Sequence, residues 1–259
     1  MKIGMMNNPR FNLLEEISWA GENGFAFLDL TLEPPAAHPA KLPKAEVRKS
    51  LAESGLDIIG HTAYYLPLAS PYERLRLAAI EELRLAIQFL ADLGAETVTI
   101  HPDKSISSAH YAQGIYQKNL STLEEVINIS QSLGIKILLE NMDRIFNTVE
   151  QIQEALTRFP QLGFHLDVGH ANLFVEKNRT EEFLQAFYGR LAHVHFSDNF
   201  GKSDDLHLPL GAGNIEWPEI VSLLKSSGYD GTITLEVFSA DRRYLLQSKE
   251  YLLELWNKC

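Results

Sequence analysis

Cysteine is almost missing from this chain: the single Cys259 is the last residue. No internal disulfide can form, and a reducing cytoplasm is the expected compartment. Long apolar runs are missing as well. None approaches the ~20 residues of a membrane-spanning helix, and the opening stretch Met1–Arg10 turns polar too early for a secretory signal. Positive charge is scarce, with 23 Lys and Arg against 34 Asp and Glu and a formal net charge of −11. That balance disfavours nucleic acid as a partner, because non-specific binding to it is largely Lys/Arg–phosphate contact. No Lys/Arg-dense run supplies a local exception. Linkers, low-complexity tracts and charge blocks are also absent, so residues 1–259 read as one domain.

What is present is an ordinary globular composition, 45% hydrophobic and 22% charged, arranged with a strict alternation. Short apolar or β-branched runs occur at 3–6, 25–30, 57–60, 96–100, 135–139, 162–166, 191–196 and 232–237. Between them lie stretches with apolar residues three and four apart, such as 73–93, 111–133 and 148–158, the spacing of helices with one buried face. Gly24, Gly55, Gly94, Gly134 and Gly228 each close such a stretch, where a helix C-cap glycine belongs. A repeat of about 32 residues is close to one βαβ step. Near-continuous apolar strands alternating with helices predict a parallel sheet, and this number of units favours a closed (β/α)8 TIM barrel, of class α/β, over an open sheet. No strand is followed by a G-x-G-x-x-G fingerprint.

In such a barrel the C-terminal ends of the strands open into one mouth. From the third strand onward those ends carry His61, His101, Glu140, Asp167 with His170 close behind, His195 and Glu236, while Asp205 and His207 follow the seventh strand in a loop. Singly, each has a bland explanation as a helix cap, a solvated charge or a packed histidine. Asp57, Asp103, Asp143, His38, His110 and His165 are assigned to that class, the last as lying one register step off the Asp167 face. Together, imidazoles and carboxylates at matching topological positions point to a divalent-metal site. His193 and His195 share a strand face; His195 lies nearer the mouth and is the better ligand, and His193 sits one layer deeper.

The runs Leu138-Leu-Glu140-Asn141, His165-Leu-Asp167-Val-Gly-His170, His193-Val-His195-Phe-Ser-Asp198, Asp205-Leu-His207-Leu-Pro-Leu-Gly211-Ala-Gly213-Asn-Ile215 and Leu235-Glu236-Val237 resemble the xylose isomerase-like TIM-barrel superfamily. Its members include sugar and sugar-phosphate isomerases and epimerases, inositol-catabolism enzymes and the endonuclease IV family. The resemblance implies one metal held by Glu140, Asp167, His195 and Glu236, as in the isomerases and epimerases. Endonuclease IV adds two zincs. By that analogy His61 and His101 join Glu140 around one ion, and His170, Asp205 and His207 hold another, so one to three ions are expected. A histidine-containing site suits Zn, Mn or Co and leans away from Mg.

Three reaction classes follow from the resemblance. In the first, a sugar or sugar phosphate is isomerised or epimerised through an enediolate, with Glu140 and Glu236 flanking the substrate as base and acid. His170 then contacts a hydroxyl, Tyr64 and Tyr65 wall the pocket, and Gly211 and Gly213 let backbone amides approach the ligand. In the second, a metal cluster hydrolyses a phosphodiester, as at an abasic site in DNA. Against it, the loop Thr31–Pro39 has no Arg or Lys, and the loop Thr62–Pro71 is aromatic and apolar. The third is dehydration, which begins with the same proton abstraction, or metal and ligand binding at the same site without turnover. Tyr251 and Trp256 near the C-terminus leave room for a subunit contact in a homo-oligomer.

Overall fold

Eight parallel strands close into a barrel in sequence order, the last pairing back onto the first. They are β1 (Lys2–Met6), β2 (Phe27–Leu32), β3 (Asp57–Thr62), β4 (Thr97–Ile100), β5 (Lys136–Glu140), β6 (Gly163–Asp167), β7 (Leu191–Phe196) and β8 (Thr232–Leu235). The helices α1 (Leu13–Glu22), α2 (Lys44–Ser54), α3 (Glu73–Leu93), α4 (Ala109–Gln131), α5 (Val149–Arg158), α6 (Thr180–Phe187), α7 (Trp217–Ser226) and α8 (Arg243–Lys258) alternate with them. This computed structural model describes residues 1–104 and 109–259; the side chains of 105–112, His110 among them, lie outside the described residues. The expected (β/α)8 barrel is the fold that forms. Among the described residues, no helix is long and apolar enough to cross a membrane.

Glycine ends the helices as the sequence implies. Gly55 and Gly94 close α2 and α3 at φ of 65° and 99°, returning their N–H groups to the last turn. The second strand starts later than its apolar run, at Phe27 rather than Phe25. The Phe25 N–H bonds back to the Ala20 carbonyl, so this residue still belongs to the end of α1. At the other end β2 continues to Leu32, which pairs with Thr62.

The barrel interior is polar where bulky aliphatic residues are usual. Phe27 fills its lower end, and a Cβ on Gly4 would lie 2.4 Å from that ring. Above it sit Asp29, Thr99, His165, His193 and Thr234, each at 0% exposure. Their register is explicit: His165 pairs with His193, Asp167 with His195, and His195 with Thr234. Two asparagines knit strand ends together by mimicking a further ladder pair. Asn7 exchanges hydrogen bonds with the Thr31 backbone at 2.8 and 3.1 Å, and Asn141 does so with the Asp167 backbone at 2.8 and 2.9 Å. These bonds hold the donor-bearing strand ends in fixed register.

On α8, Tyr251 and Trp256 pack against the core rather than standing out from it. The exposed apolar side chains on this helix are Tyr244 and Leu253. A strict sequence reading missed this because the helix face is set by the neighbouring α7, where Lys225 lies 5.8 Å from the Trp256 ring.

Candidate metal centre

Four consecutive strands, β5 to β8, deliver Glu140, Asp167, His195 and Glu236 to the mouth, with the two glutamates at the ends of the arc. Donor atoms of Asp167, His195 and Glu236 all lie within 4.8 Å of one another, and so do those of Glu140, Asp167 and His170. His195 Nδ1 stands 3.0 Å from Glu236 Oε2 and 3.8 Å from Asp167 Oδ2. Asp167 therefore joins the two halves of the quartet.

Two further groups border it. His101 Nε2 and His61 Nε2 lie 3.0 and 3.6 Å from Glu140 Oε2. On the other side, Asp205 Oδ2 is 3.0 Å from His170 Nε2 and 3.3 Å from His207 Nε2. The His207 backbone is at φ 46°, a left-handed conformation that a histidine rarely adopts and that turns its ring inward over Glu236. The structure thus brings together every residue expected as a ligand: His61, His101, Glu140, Asp167, His170, His195, Asp205, His207 and Glu236.

Bond by bond, these donors are incompletely used. His61 Nδ1 and Nε2, Asp167 Oδ2 and His207 Nδ1 are buried without a hydrogen-bond partner, while Glu140 meets imidazoles alone, with Oε2 3.0 Å from His101 Nε2 and Oε1 3.0 Å from His170 Nδ1. A buried polar atom left unpaired costs about 1–3 kcal/mol, and a charged one more. Several converging at one mouth fit the demands of a cation. Electrostatics agrees. Burial, reinforced by Glu140 and Glu236, lifts the Asp167 carboxyl to about 7 against the pull of His170. Burial opposes charge on His207, yet Glu236 and Asp205 raise it to about 9. Asp167, crowded by two other carboxylates in a dry mouth, retains a proton until a cation replaces it. Nitrogen and oxygen donors in this mixture suit Zn, Mn or Co.

The mouth opens into a cavity of about 810 Å³ lined in part by Met6, Tyr64, Met142 and Phe238. Tyr64 reaches it, but Tyr65 is not part of its lining. Gly211 and Gly213 do not line it either. The Gly211 N–H donates to Asp198 Oδ2 at 2.8 Å. A Cβ on Gly213 would lie 2.1 Å from the Asn199 carbonyl oxygen. Both glycines serve a tight loop built around Asp198, which also accepts from Trp217 Nε1 at 2.8 Å. His165, expected off the Asp167 face, shares it. Residues two apart on a strand point the same way, and the His165 ring lies 4.0 Å from that of His195. It remains a packed histidine, with Nδ1 3.0 Å from Thr99 Oγ1.

Sequence reasoning passed over Asp29 and Glu33. Asp29 lies beneath the quartet, 2.7 Å from His195 Nε2. Glu33 lines the cavity, with its carboxyl shifted upward chiefly by burial. A single carboxylate inside the otherwise apolar run Phe27-Leu-Asp29-Leu30 was the available signal, because such a group is rarely buried unpaired.

Comparison with known proteins agrees with the barrel fold. The family model described as xylose isomerase-like TIM barrel matches residues 17–255. A solved structure described as a D-tagatose 3-epimerase-like protein superimposes with a TM-score of 0.86 at 31% identity, covering 100% of this chain and 99% of the other. An uncharacterized protein of Methanocaldococcus jannaschii is 36% identical over 207 residues, 77% of this chain and 70% of its own length. The L-ribulose-5-phosphate 3-epimerase of Salmonella paratyphi C is 25% identical over 248 residues, 87% of this chain and 82% of its own.

Proposed function

Since the chain belongs to the xylose isomerase-like TIM barrel family, we propose that it is a divalent-metal-dependent epimerase or isomerase of a sugar or sugar phosphate. The observation that carries this reading is the placement of Glu140 and Glu236 at the two ends of the β5–β8 arc, with Asp167 and His195 between them. The epimerases among the similar proteins support it. A reducing cytoplasm is the compartment that fits the lone, exposed Cys259.

Glu140, Asp167, His195 and Glu236 would hold one ion, a Lewis acid that makes a proton next to a carbonyl more acidic. The protein's own groups move that proton. One glutamate takes it from the carbon on one face of the flat substrate, and the other returns a proton from the opposite face. The configuration at that carbon is thereby inverted. Return to the neighbouring carbon would instead give isomerisation. Met6, Met142, Phe238 and Tyr64 line the cavity in which this transfer would take place. His170 and His207, held together through Asp205, face the same cavity and suit substrate hydroxyls.

A second reading has a specific observation in its favour. The His61–His101–Glu140 and His170–Asp205–His207 groups are complete, as a metal cluster for phosphodiester hydrolysis would require. Against it stand a net charge of −11 and a cavity whose described cations are Arg10 and Lys104, the latter paired to Asp143 at 3.1 Å. Metal analysis of protein purified without chelator separates the readings, combined with assays on D-tagatose, L-ribulose 5-phosphate and a duplex bearing an abasic site. Near one ion per chain and epimerised sugar are expected. Near three ions with cleaved duplex and untouched sugars would replace the epimerase by the phosphodiesterase.

A further inference from the structure

Asp29 occupies the middle of β2, a strand buried along its whole length, and its carboxylate is at 0% exposure. Such a charge is expensive unless several donors converge on it. They do, from two other strands. Its Oδ2 accepts from His195 Nε2 at 2.7 Å, from His193 Nε2 at 3.0 Å and from Thr234 Oγ1 at 2.9 Å. A carboxylate has no proton of its own to give, so the protons in the two imidazole bonds reside on Nε2. His193 is held from its other side, with Nδ1 2.7 Å from the Thr232 hydroxyl. His195 instead turns Nδ1 toward Glu236 and Asp167.

We propose that Asp29 is a positioning residue of the metal centre: by holding the Nε2 proton of His195 from below, it commits Nδ1 to the ion and fixes the ring's direction. The inference rests on the metal reading above. Asp29 touches neither the substrate nor the ion; it acts through the imidazole, as carboxylates behind metal-binding histidines commonly do. His193 and Thr234 complete the cradle and keep the carboxylate from swinging toward the mouth. The arrangement explains why a charge is retained in the barrel interior, where an aliphatic side chain would pack without any need for partners.

The test measures binding of Mn²⁺ and Zn²⁺ to metal-free protein by calorimetry, in wild type and Asp29→Asn. The expected result is a Kd weaker by about 10- to 100-fold in Asp29→Asn. The imidazole nitrogens of zinc-loaded wild type are read separately by NMR, with His195 assigned by its loss in His195→Gln. This reading does not depend on the folding of Asp29→Asn. A protonated Nε2 and a zinc-shifted Nδ1 are expected. If wild type binds no divalent ion, the metal reading itself falls. If wild type binds and Asp29→Asn binds equally well, or if Nε2 is the shifted nitrogen, Asp29 does not position the ligand.

Discussion

Glu140 and Glu236 carry the proposed proton transfer as well as two of the positions that would hold the ion. Glu140→Gln and Glu236→Gln should each reduce exchange of a substrate C–H proton with solvent deuterium by at least about 10³-fold, the scale of one general acid or base. Mass spectrometry of the recovered sugar checks this. Asp198 has a different role. It accepts from the backbone of Gly211 and Ile215 and from the Trp217 indole, the last two in buried positions. Asp198→Ala should destabilise the fold by about 3 kcal/mol through those orphaned donors, measured by urea unfolding. Asp167 gives a pH dependence. Its carboxyl titrates near about 7, so below that pH a proton occupies the position an ion needs. Metal affinity should rise as pH increases through 7, and a flat affinity between pH 6 and 8 would contradict this. The ligands at the strand ends were legible from one-dimensional spacing, since strand period and barrel topology alone send them to the mouth. Asp29 was not, because its partners His193, His195 and Thr234 lie more than a hundred residues away.

At the scale of elements, the loop between β7 and α7 shows what sequence leaves open. Its Gly-x-Gly pair suggested exposed amides for a ligand, but the amide of Gly211 is consumed by Asp198, and Gly213 is packed against Asn199. Only the folded loop reveals that competition. Gly213→Ala should therefore cost about 3 kcal/mol, since the new methyl group meets backbone that cannot yield. Gly114 provides the control. It lies within α4, and a Cβ there meets nothing within 4 Å. Gly114→Ala should stabilise the protein by about 1 kcal/mol, the helix-propensity difference. Differential scanning calorimetry of the pair gives opposite signs if both arguments hold. The strands themselves were legible to within a few residues. The late start of β2 escaped because Phe25 satisfies its N–H within α1, a choice made by hydrogen bonding rather than hydropathy.

The whole molecule is a closed barrel whose interior carries charge near its mouth and polar packing below. Folding alone leaves those mouth donors partly unpaired, so ion binding should be visible as stability. Divalent metal at about a hundredfold excess over Kd should add about 2.7 kcal/mol. For a chain of this length that is a rise of roughly 8 °C in Tm, reversed by chelator. The most direct test of the central claim is uptake of solvent deuterium. Metal-loaded protein in D2O is incubated with a panel of ketoses, aldoses and their phosphates, and each recovered sugar is examined by NMR. Deuterium at a carbon next to the carbonyl of at least one of them, lost on chelation and in Glu140→Gln and Glu236→Gln, is the predicted result. No exchange with any of them, from protein carrying its full complement of metal, would contradict the account.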